Sequence, residues 1–287
     1  MGIATLILVS LSPGLFWLWF FLRQDRFRPE PKRLIALTFL LGCVSTIPAA
    51  ILEVIFDFGG LLDTQTDLAT VATGMLFVIG PVEELCKFGA VRLLAYRSLY
   101  FDEPMDGLVY GAAASLGFAS LENFFYVLNY GPEVMLLRAP LSTLAHLVFG
   151  SIWGYALGQH RSSNYNKLWL VVSGLALAAT AHAVFNVSAV FFPWAAALLV
   201  LVGGIWSFRL FLWGQRVSPF RLQRNYPFTH CRFCDALVRV LDRHCISCGA
   251  WSSSHDRELF CGRCQNRNRP DAAYCTGCGD RLMLRQN

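Results

Sequence analysis

Two adjacent glutamates and a lysine lie in the middle of an apolar stretch that is long enough to cross a lipid bilayer. Glu83, Glu84 and Lys87 fall within a run from about Leu68 to Tyr96, and about 20 apolar residues suffice to span a membrane. Each ionisable group at the bilayer centre costs at least about 2.5–3.5 kcal/mol. We therefore expect these side chains to face a protein interior or a wet cavity and to mark a functional site.

The spacing of these residues predicts how they share a helix. Glu83 and Lys87 are four residues apart and lie on one face, whereas Glu84 points about 100° away. A buried ion pair that locks helices together would explain Glu83 with Lys87 but not Glu84. Pro81 is expected to loosen the helix just before the acidic pair.

Later apolar runs also carry polar side chains. Glu122 and Asn123 lie in one run, His146 in the next, and His182 with Asn186 in the one after. Placed by depth along their helices, these groups occupy one band from mid-membrane into the outer half. Carboxylate and imidazole together can activate water, either as a general base or by holding a metal ion. An amide or backbone donor could stabilise the resulting oxyanion.

Other nucleophiles are poorly supported. The sequence has no GxSxG motif and no serine–lysine pair at an evident spacing. Cys86 lies beside the acidic pair without a cysteine-protease signature, so we interpret it as a packing residue like Cys43.

Composition points to an all-α polytopic membrane protein. The 287 residues are 55% hydrophobic and only 15% charged, against about 25% charged in soluble domains. The first apolar run lacks a basic segment before it, so we expect a retained helix rather than a cleaved signal peptide. We predict seven spans at about 3–22, 34–56, 69–95, 107–129, 139–158, 168–190 and 195–213.

Basic residues alternate between the predicted loops. They cluster after spans 1, 3, 5 and 7, whereas the loop after span 4 holds only Arg138. The positive-inside rule then places the N-terminus outside and the C-terminal segment in the cytoplasm. The formal charge of +5 is interpreted as this orientation signal. We predict three regions: a membrane domain over 1–215, a linker over 216–229 and a cysteine-rich domain over 230–287.

The C-terminal region repeats one cysteine pattern. Each unit contains two CxxC pairs separated by ten residues, and four thiolates match a closed tetrahedral zinc site. The reducing cytoplasm would keep these thiols free for metal. We predict two structural Zn²⁺ ions in a double zinc ribbon, whose ligands are Cys231, Cys234, Cys245 and Cys248 in the first unit, and Cys261, Cys264, Cys275 and Cys278 in the second.

The ribbons are not expected to bind nucleic acid. Their excess of arginine is largely offset by the negative charge of two zinc–tetrathiolate centres, which leaves a weak field for phosphate binding. Docking of a protein partner is the better interpretation.

The membrane motifs resemble the PrsW family of intramembrane proteases, which is related to the CAAX prenyl endopeptidases. The resemblance covers about residues 1–215 and rests on EExxK (83–87), GFAxxEN (117–123), His146 and HxxxN (182–186). The related CAAX group carries FxxxH, whereas position 142 here is Ser142. That departure favours the PrsW branch over prenyl-protein substrates.

The resemblance implies peptide-bond hydrolysis in or near a bacterial membrane. The implied substrate class is membrane-anchored proteins such as anti-sigma factors, cut on the outer side. We hypothesise that Glu83 or Glu84 is the general base, with Glu83 favoured. His146 and His182 would position the water or bind a catalytic metal such as zinc, and whether the site uses a metal is open.

The remaining polar residues have supporting roles in this hypothesis. Asn186 would support the oxyanion, while Glu122 and Asn123 would complete the site or orient the histidines. Two other function classes stay open at this stage. Intramembrane Glu, His and Lys also build proton relays, which would suit a proton-coupled transporter. A non-catalytic receptor could act through its ribbons alone.

Overall fold

The structure is a computed structural model of the whole chain. It describes residues 2–25, 29–163, 166–218, 228–239, 244–245, 247–250, 259–261, 264, 266–268, 272, 274–279 and 282. These residues form two compact units. The first contains the described residues up to Arg216 except 29–32, and the second contains 29–32 and the described residues from Val217 onward. The first unit is helical and contains the polar membrane motifs, and the second contains the cysteine pairs.

Nine α-helices make up the described part of the helical unit. They are α1 (Ile3–Leu22), α2 (Lys32–Phe56), α3 (Leu68–Gly74), α4 (Gly80–Leu93), α5 (Pro104–Tyr130), α6 (Met135–Leu137), α7 (Thr143–Ser162), α8 (Leu168–Phe191) and α9 (Pro193–Val217). Short 3₁₀ turns lie at Ala95–Arg97 and Pro132–Val134. Asp67 caps α3 by accepting hydrogen bonds from the backbone N–H groups of Ala69 and Thr70.

Six helical segments among the described residues are long and apolar enough to cross a membrane. They are Ile3–Leu22, Lys32–Phe56, Leu68–Arg97, Pro132–Ser162, Leu168–Phe191 and Pro193–Val217. The chain is therefore a membrane protein. The fourth of the seven predicted spans is present as α5, but it is not among these six. Its glycines, alanines and acidic residues lower its hydropathy, and neighbouring helices rather than lipid cover most of its length.

Small residues let α5 approach its neighbours closely. A Cβ at Gly107 would collide with the backbone oxygen of Gly154 on α7, and a Cβ at Gly117 would collide with the backbone oxygen of Phe39 on α2. Such glycines allow helix backbones to pack at short distance. The close α5–α7 crossing brings the polar residues of these two helices side by side.

Two π-helical turns precede the helices that carry the acidic pair and the first histidine. Met75–Ile79 joins α3 to α4, and Arg138–Ser142 leads into α7. Gly80, directly after the first turn, lies against the backbone oxygen of Ala179 on α8. Single π-turns inside helices are frequent at functional sites.

The second unit contains a four-stranded antiparallel sheet in the order β2-β1-β3-β4. The strands are β1 (Phe228–His230), β2 (Leu237–Arg239), β3 (Leu259–Phe260) and β4 (Arg267–Asn268). The hairpin β1–β2 belongs to the first cysteine unit and β3–β4 to the second. The pairing of β1 with β3 joins the two units into one sheet.

Candidate active site

Lys87 is the centre of the buried polar cluster. It is 0% exposed. Its Nζ donates to Glu83 Oε2 at 2.9 Å and to Glu84 Oε1 at 2.8 Å, and lies 2.9 Å from His146 Nδ1. It also lies 4.3 Å from the centre of the Phe118 ring. An ammonium group has three hydrogens and accepts none, so all three are used and His146 Nδ1 is the acceptor.

This contact pattern differs from the predicted one. Lys87 binds both glutamates, although the helical spacing favoured Glu83 alone. The reason is the flexible four-carbon stem of lysine, which lets Nζ lie between the positions three and four residues before it. Glu84 is therefore part of the ion cluster.

Glu84 is held on three sides. Oε1 accepts from Lys87 and lies 2.9 Å from His182 Nδ1, and Oε2 accepts from Trp153 Nε1 at 2.9 Å. Only 1% of the residue is exposed. Both oxygens are engaged within the protein, so Glu84 anchors its neighbours.

His146, from α7, is fixed through both ring nitrogens. Because Nδ1 accepts from Lys87, the hydrogen of a neutral ring is on Nε2. Nε2 lies 2.9 Å from Glu122 Oε2 on α5. Within the part of the chain that the structure describes, Glu122 Oε2 has no partner in hydrogen-bond geometry, so Glu122 faces the N–H group as an electrostatic partner.

Arg138 binds the same region of α5. Its guanidinium lies 3.0 Å from Glu122 Oε1, donates through Nε to Asn123 Oδ1 at 2.8 Å and stacks over the Tyr126 ring at 3.7 Å. Asn123 in turn donates to Thr143 Oγ1 on α7 at 3.0 Å. Asn123 is fully buried and ties α5 to the start of α7.

His182 and Asn186 come from α8. The Nε2 atom of His182 lies 3.8 Å from Glu83 Oε2, while its ring stacks on Phe149 with centroids 4.8 Å apart. The bond from Nδ1 to Glu84 fixes the orientation of this ring and directs Nε2 toward Glu83. Asn186 lies one helical turn further along and faces the adjoining cavity.

A cavity of about 930 Å³ opens next to this cluster. Small and polar side chains of α2 form one wall at helical spacing, namely Thr46, Ala49, Ala50 and Glu53. The remaining polar lining comes from Thr64, Glu83, Glu122, Tyr126, Arg138, Ser142, His146 and Asn186. The lining does not include Lys87, Glu84, Asn123 or His182. These four residues lie behind the side chains that could touch a substrate.

The structure brings all the membrane residues of the predicted site into one region. Glu83, Glu84, Lys87, Glu122, His146 and His182 form the contacts described above, Asn123 lies behind Glu122, and Asn186 lines the cavity. The sequence analysis missed Trp153, Glu53 and Arg138. Arg138 was counted only as a loop charge. It lies four positions after the proline-containing turn Pro132–Val134, so no helical period indicated where its side chain would lie. Among the described residues, no hydrogen bond joins Cys86 to the polar cluster.

Comparison with known proteins identifies the relationship. Residues 30–213 match the family described as PrsW family intramembrane metalloprotease. The chain belongs to the PrsW family. It is therefore an intramembrane protease, and the transporter and receptor interpretations are set aside. The matched residues contain the entire polar cluster and end before the cysteine pairs.

Curated PrsW proteins are similar over most of their own length. Protease PrsW of Bacillus subtilis (strain 168) is 31% identical over 170 residues, which cover 58% of this chain and 75% of that protein. Protease PrsW of Halalkalibacterium halodurans is 28% identical over 219 residues, covering 76% and 96%. Protease PrsW of Geobacillus kaustophilus is 29% identical over 182 residues, covering 63% and 78%. No solved structure matches the chain.

The PrsW description as a metalloprotease raises the question of which residues fit a metal. Glu83, His146 and His182 each offer one ligand atom, and these atoms lie within 4.8 Å of one another. Two imidazoles and a carboxylate are a common catalytic zinc set. The bond from His182 Nδ1 to Glu84 is the supporting contact that metal-binding histidines usually make. The set therefore fits a metal, although His146 would have to exchange its contact with Glu122 or Lys87 to serve as a ligand.

The cysteine clusters fit a metal more directly. Cys231 Sγ lies 3.6 Å from Cys248 Sγ, and Cys234 Sγ lies 3.5 Å from Cys245 Sγ. The second cluster repeats these separations at 3.6 and 3.5 Å, between Cys261 and Cys278 and between Cys264 and Cys275. Tetrahedral zinc with bonds of about 2.3 Å places sulfurs about 3.8 Å apart. Both clusters thus have the geometry of a tetrathiolate site.

The cysteines of the first cluster differ in how readily they lose a proton. Burial alone would raise the pKa of Cys231, but the backbone N–H groups of Phe233 and Cys234 donate to its sulfur and lower the pKa to about 6. The pKa of Cys234 is raised despite a backbone N–H from Ala236, because of its hydrogen bond with Cys248. Thiols must lose their protons to bind metal, so Cys231 is the thiol best prepared for an ion.

Proposed function

We propose that this PrsW-family protease hydrolyses a peptide bond of a membrane-anchored protein, with anti-sigma factors as the substrate class. The observation that carries the proposal is the meeting of Glu83, His146 and His182 at the edge of a cavity of about 930 Å³. Cavities of about 300–1,000 Å³ are typical of ligand sites. This one could admit an extended segment of a substrate beside the acid.

Glu83 is the proposed general base. It lines the cavity, and one of its oxygens is bound by Lys87, so the carboxylate is anchored yet reaches the space where water and substrate would meet. Glu84 lies behind it with both oxygens engaged. Glu84 is therefore proposed to hold Lys87 and His182 in place rather than to take a proton from water.

Asn186 is proposed to serve the substrate carbonyl, and His182 to position the water. Asn186 lines the cavity, and its side-chain amide can donate a hydrogen bond to an oxyanion as it forms. His182 donates through Nδ1 to Glu84, so Nε2 of the neutral ring is an acceptor that faces Glu83 and can receive a hydrogen bond from the water beside it. Glu122 is proposed to orient His146, and Asn123 to hold α5 against α7.

Glu83, His146 and His182 would hold a catalytic metal ion if one is bound. Such an ion would supply Lewis acidity and lower the pKa of a water molecule. Metal analysis of active protein that lacks the ribbon cysteines would test this, because the ribbon metals would no longer contribute. An active preparation without metal would exclude the metal-dependent version.

Orientation and ribbon partners are also proposals. The alternation of basic loops supports an external N-terminus and cytoplasmic ribbons, which would place the site in the outer half of the bilayer. The cysteine clusters support two structural zinc ions, and exposed Phe233 and Tyr274 support a protein partner for the ribbons.

Comparative proteomics would test the proposed function. Single-span membrane proteins from cells expressing the wild type would be compared with those from cells expressing Glu83→Gln, Glu84→Gln or Glu133→Gln. Loss of a general base costs about 10²–10⁴-fold in rate, so the Glu83→Gln cells should lack specific cleaved products. Glu133 is exposed in the loop after α5, and its substitution should leave cleavage intact. Full cleavage by both the Glu83 and Glu84 variants would overturn the proposal.

A further inference from the structure

Arg138 connects the loop before α7 to three residues of α5. Its guanidinium pairs with Glu122, bonds to Asn123 and stacks on Tyr126. The side chain is only 11% exposed. An arginine with a planar fork is suited to such a combination of carboxylate, amide and aromatic contacts, which lysine cannot reproduce.

Glu122 links Arg138 to the reacting residues. One of its oxygens lies 3.0 Å from Arg138 and the other 2.9 Å from His146 Nε2. A carboxylate in a low-dielectric site that loses its partner is left as an uncompensated charge. Glu122 without Arg138 would therefore turn toward water in the cavity, and its contact with His146 would be lost.

The orientation of His146 depends on contacts at both ends of its ring. Lys87 occupies Nδ1 and Glu122 faces Nε2. Removal of either contact leaves one ring nitrogen without its polar partner, so the ring can change its angle between Phe118 and Phe149. Catalytic groups have to be held within about 0.5 Å of their productive positions, so such rotation would slow the reaction without affecting the binding of substrate elsewhere in the cavity.

We propose that Arg138 is a positioning residue of this protease, which acts through Glu122 to hold His146 in its reactive orientation. The proposal rests on the proposed function for its kinetic consequence, but the orientation of His146 can be measured without turnover. Arg138 also lines the cavity. Direct recognition of a substrate carboxylate is the competing role that the experiment has to separate.

The kinetic test is a double-mutant cycle with Arg138→Met, Glu122→Gln and the combined variant, using a cleaved single-span substrate in proteoliposomes. We expect Arg138→Met to lower kcat by about 10- to 100-fold with KM within about twofold. The combined variant should be no slower than Glu122→Gln, because residues that act through one another are not additive. Arg138→Lys should be intermediate, since it keeps the charge but cannot reach Glu122 and Asn123 together.

Arg92 offers a matched control. Its guanidinium also stacks on a tyrosine, with 4.1 Å to the centre of the Tyr96 ring. It lies on the same helix as the acidic pair but outside the polar cluster. Arg92→Met should leave kcat and KM at wild-type values, which would show that loss of an arginine–tyrosine stack alone does not explain the effect.

A measurement without turnover keeps the inference testable if the substrate class is wrong. Diethyl pyrocarbonate acylates accessible imidazoles, and mass spectrometry locates the modified residue. We expect His146 to react several times faster in Arg138→Met than in the wild type or Arg92→Met, because a ring that Glu122 no longer holds can turn its unprotonated nitrogen away from Lys87 and toward the reagent. Failure of the proposed function would appear as a wild type that cleaves nothing, while this labelling result would still decide the role of Arg138.

Three results would overturn the inference. Multiplicative effects of Arg138→Met and Glu122→Gln would show independent action. A raised KM at unchanged kcat would show direct substrate binding. Unchanged labelling of His146 in both Arg138→Met and Arg138→Lys would show that the ring does not depend on this arginine.

Discussion

The chain contains two kinds of polar cluster, and they are built in opposite ways. Each ribbon cluster takes four cysteines from one short segment, in which the outer two cysteines are 17 positions apart. The membrane cluster takes its residues from α4, α5, α7 and α8, and its contact between Glu84 and His182 joins residues 98 positions apart. Local chain geometry determines the first kind, whereas the packing of several helices determines the second.

The two kinds of cluster also balance their charges differently. Each ribbon cluster brings four thiols together, and a bound metal ion would offset the charge of their thiolates. In the membrane cluster, Lys87 and Arg138 already pair with Glu83, Glu84 and Glu122. The comparison predicts that metal removal dismantles the ribbons, whereas removal of the internal cations dismantles the membrane site.

Removal of the ribbon metals should have the largest effect. Structural zinc contributes about 10–16 kcal/mol of apparent binding energy at neutral pH. A strong chelator, or Cys231→Ser with Cys261→Ser, should therefore unfold the ribbons. Limited proteolysis would measure the loss of a protected C-terminal fragment. A C-terminal fragment that stays protected from proteolysis without metal would contradict the proposed difference between the two kinds of cluster.

Lys87→Met should have the next largest effect and should act on the membrane unit alone. Two buried carboxylates would lose their shared cation, which costs about 3–5 kcal/mol. We expect a lower midpoint of thermal unfolding in detergent and loss of cleavage. Lys167→Met, at the start of α8, serves as a control with an unchanged midpoint. A stable Lys87→Met protein would show that the carboxylates are neutralised in another way.

Trp153→Phe should have a smaller effect. The change keeps an aromatic ring next to Phe88 but removes the N–H group that donates to Glu84. Loss of a buried hydrogen bond to a charged group costs about 1.5–3 kcal/mol. The midpoint of thermal unfolding and the cleavage rate would both decrease, but by less than in Lys87→Met. Equal effects of the two substitutions would show that the Trp153 indole stabilises Glu84 as much as the Lys87 ammonium group does.

Asp235→Gly should have the smallest effect and the opposite sign. Asp235 has a φ of 57°, while the corresponding turns after Cys248 and Cys278 use Gly249 and Gly279 with φ of 74° and 73°. Glycine adopts this left-handed conformation without steric cost. We expect zinc affinity, measured by competition with a chelator, to rise by less than about 1 kcal/mol. Reduced zinc affinity would show that the Asp235 side chain supports the metal site through its contact with His230.

The sequence predicted those parts of the molecule that residue type and spacing alone determine. The cysteine spacing predicted both tetrathiolate clusters, and intramembrane charges predicted Glu83, Glu84, Lys87 and Glu122 as neighbours in space. Family membership confirms the protease interpretation. The roles assigned to individual site residues stay predictions, because only substitution and measurement can test them.

The remainder depended on packing that has no signature in the sequence. Trp153 contributes one N–H group from a residue type that usually packs against lipid or core. Arg138 reaches Glu122 because a π-turn and a close helix crossing bring the loop onto α5. The depth of α5 within the bundle follows from backbone contacts at Gly107 and Gly117, which no helical period reveals.

The two π-turns make chain length a control on the site. Each contains one more residue per turn than a regular helix would need, and each lies directly before α4 or α7. Deletion of one residue from Met75–Ile79 would restore a continuous α-helix and leave α3 in nearly the same rotation relative to Glu83 and Glu84, because the widened turn absorbs the extra residue. The same deletion within the regular turns of α4 would rotate the residues on its two sides by about 100° relative to each other. A deletion in α4 should therefore be far more harmful than one in the π-turn before it.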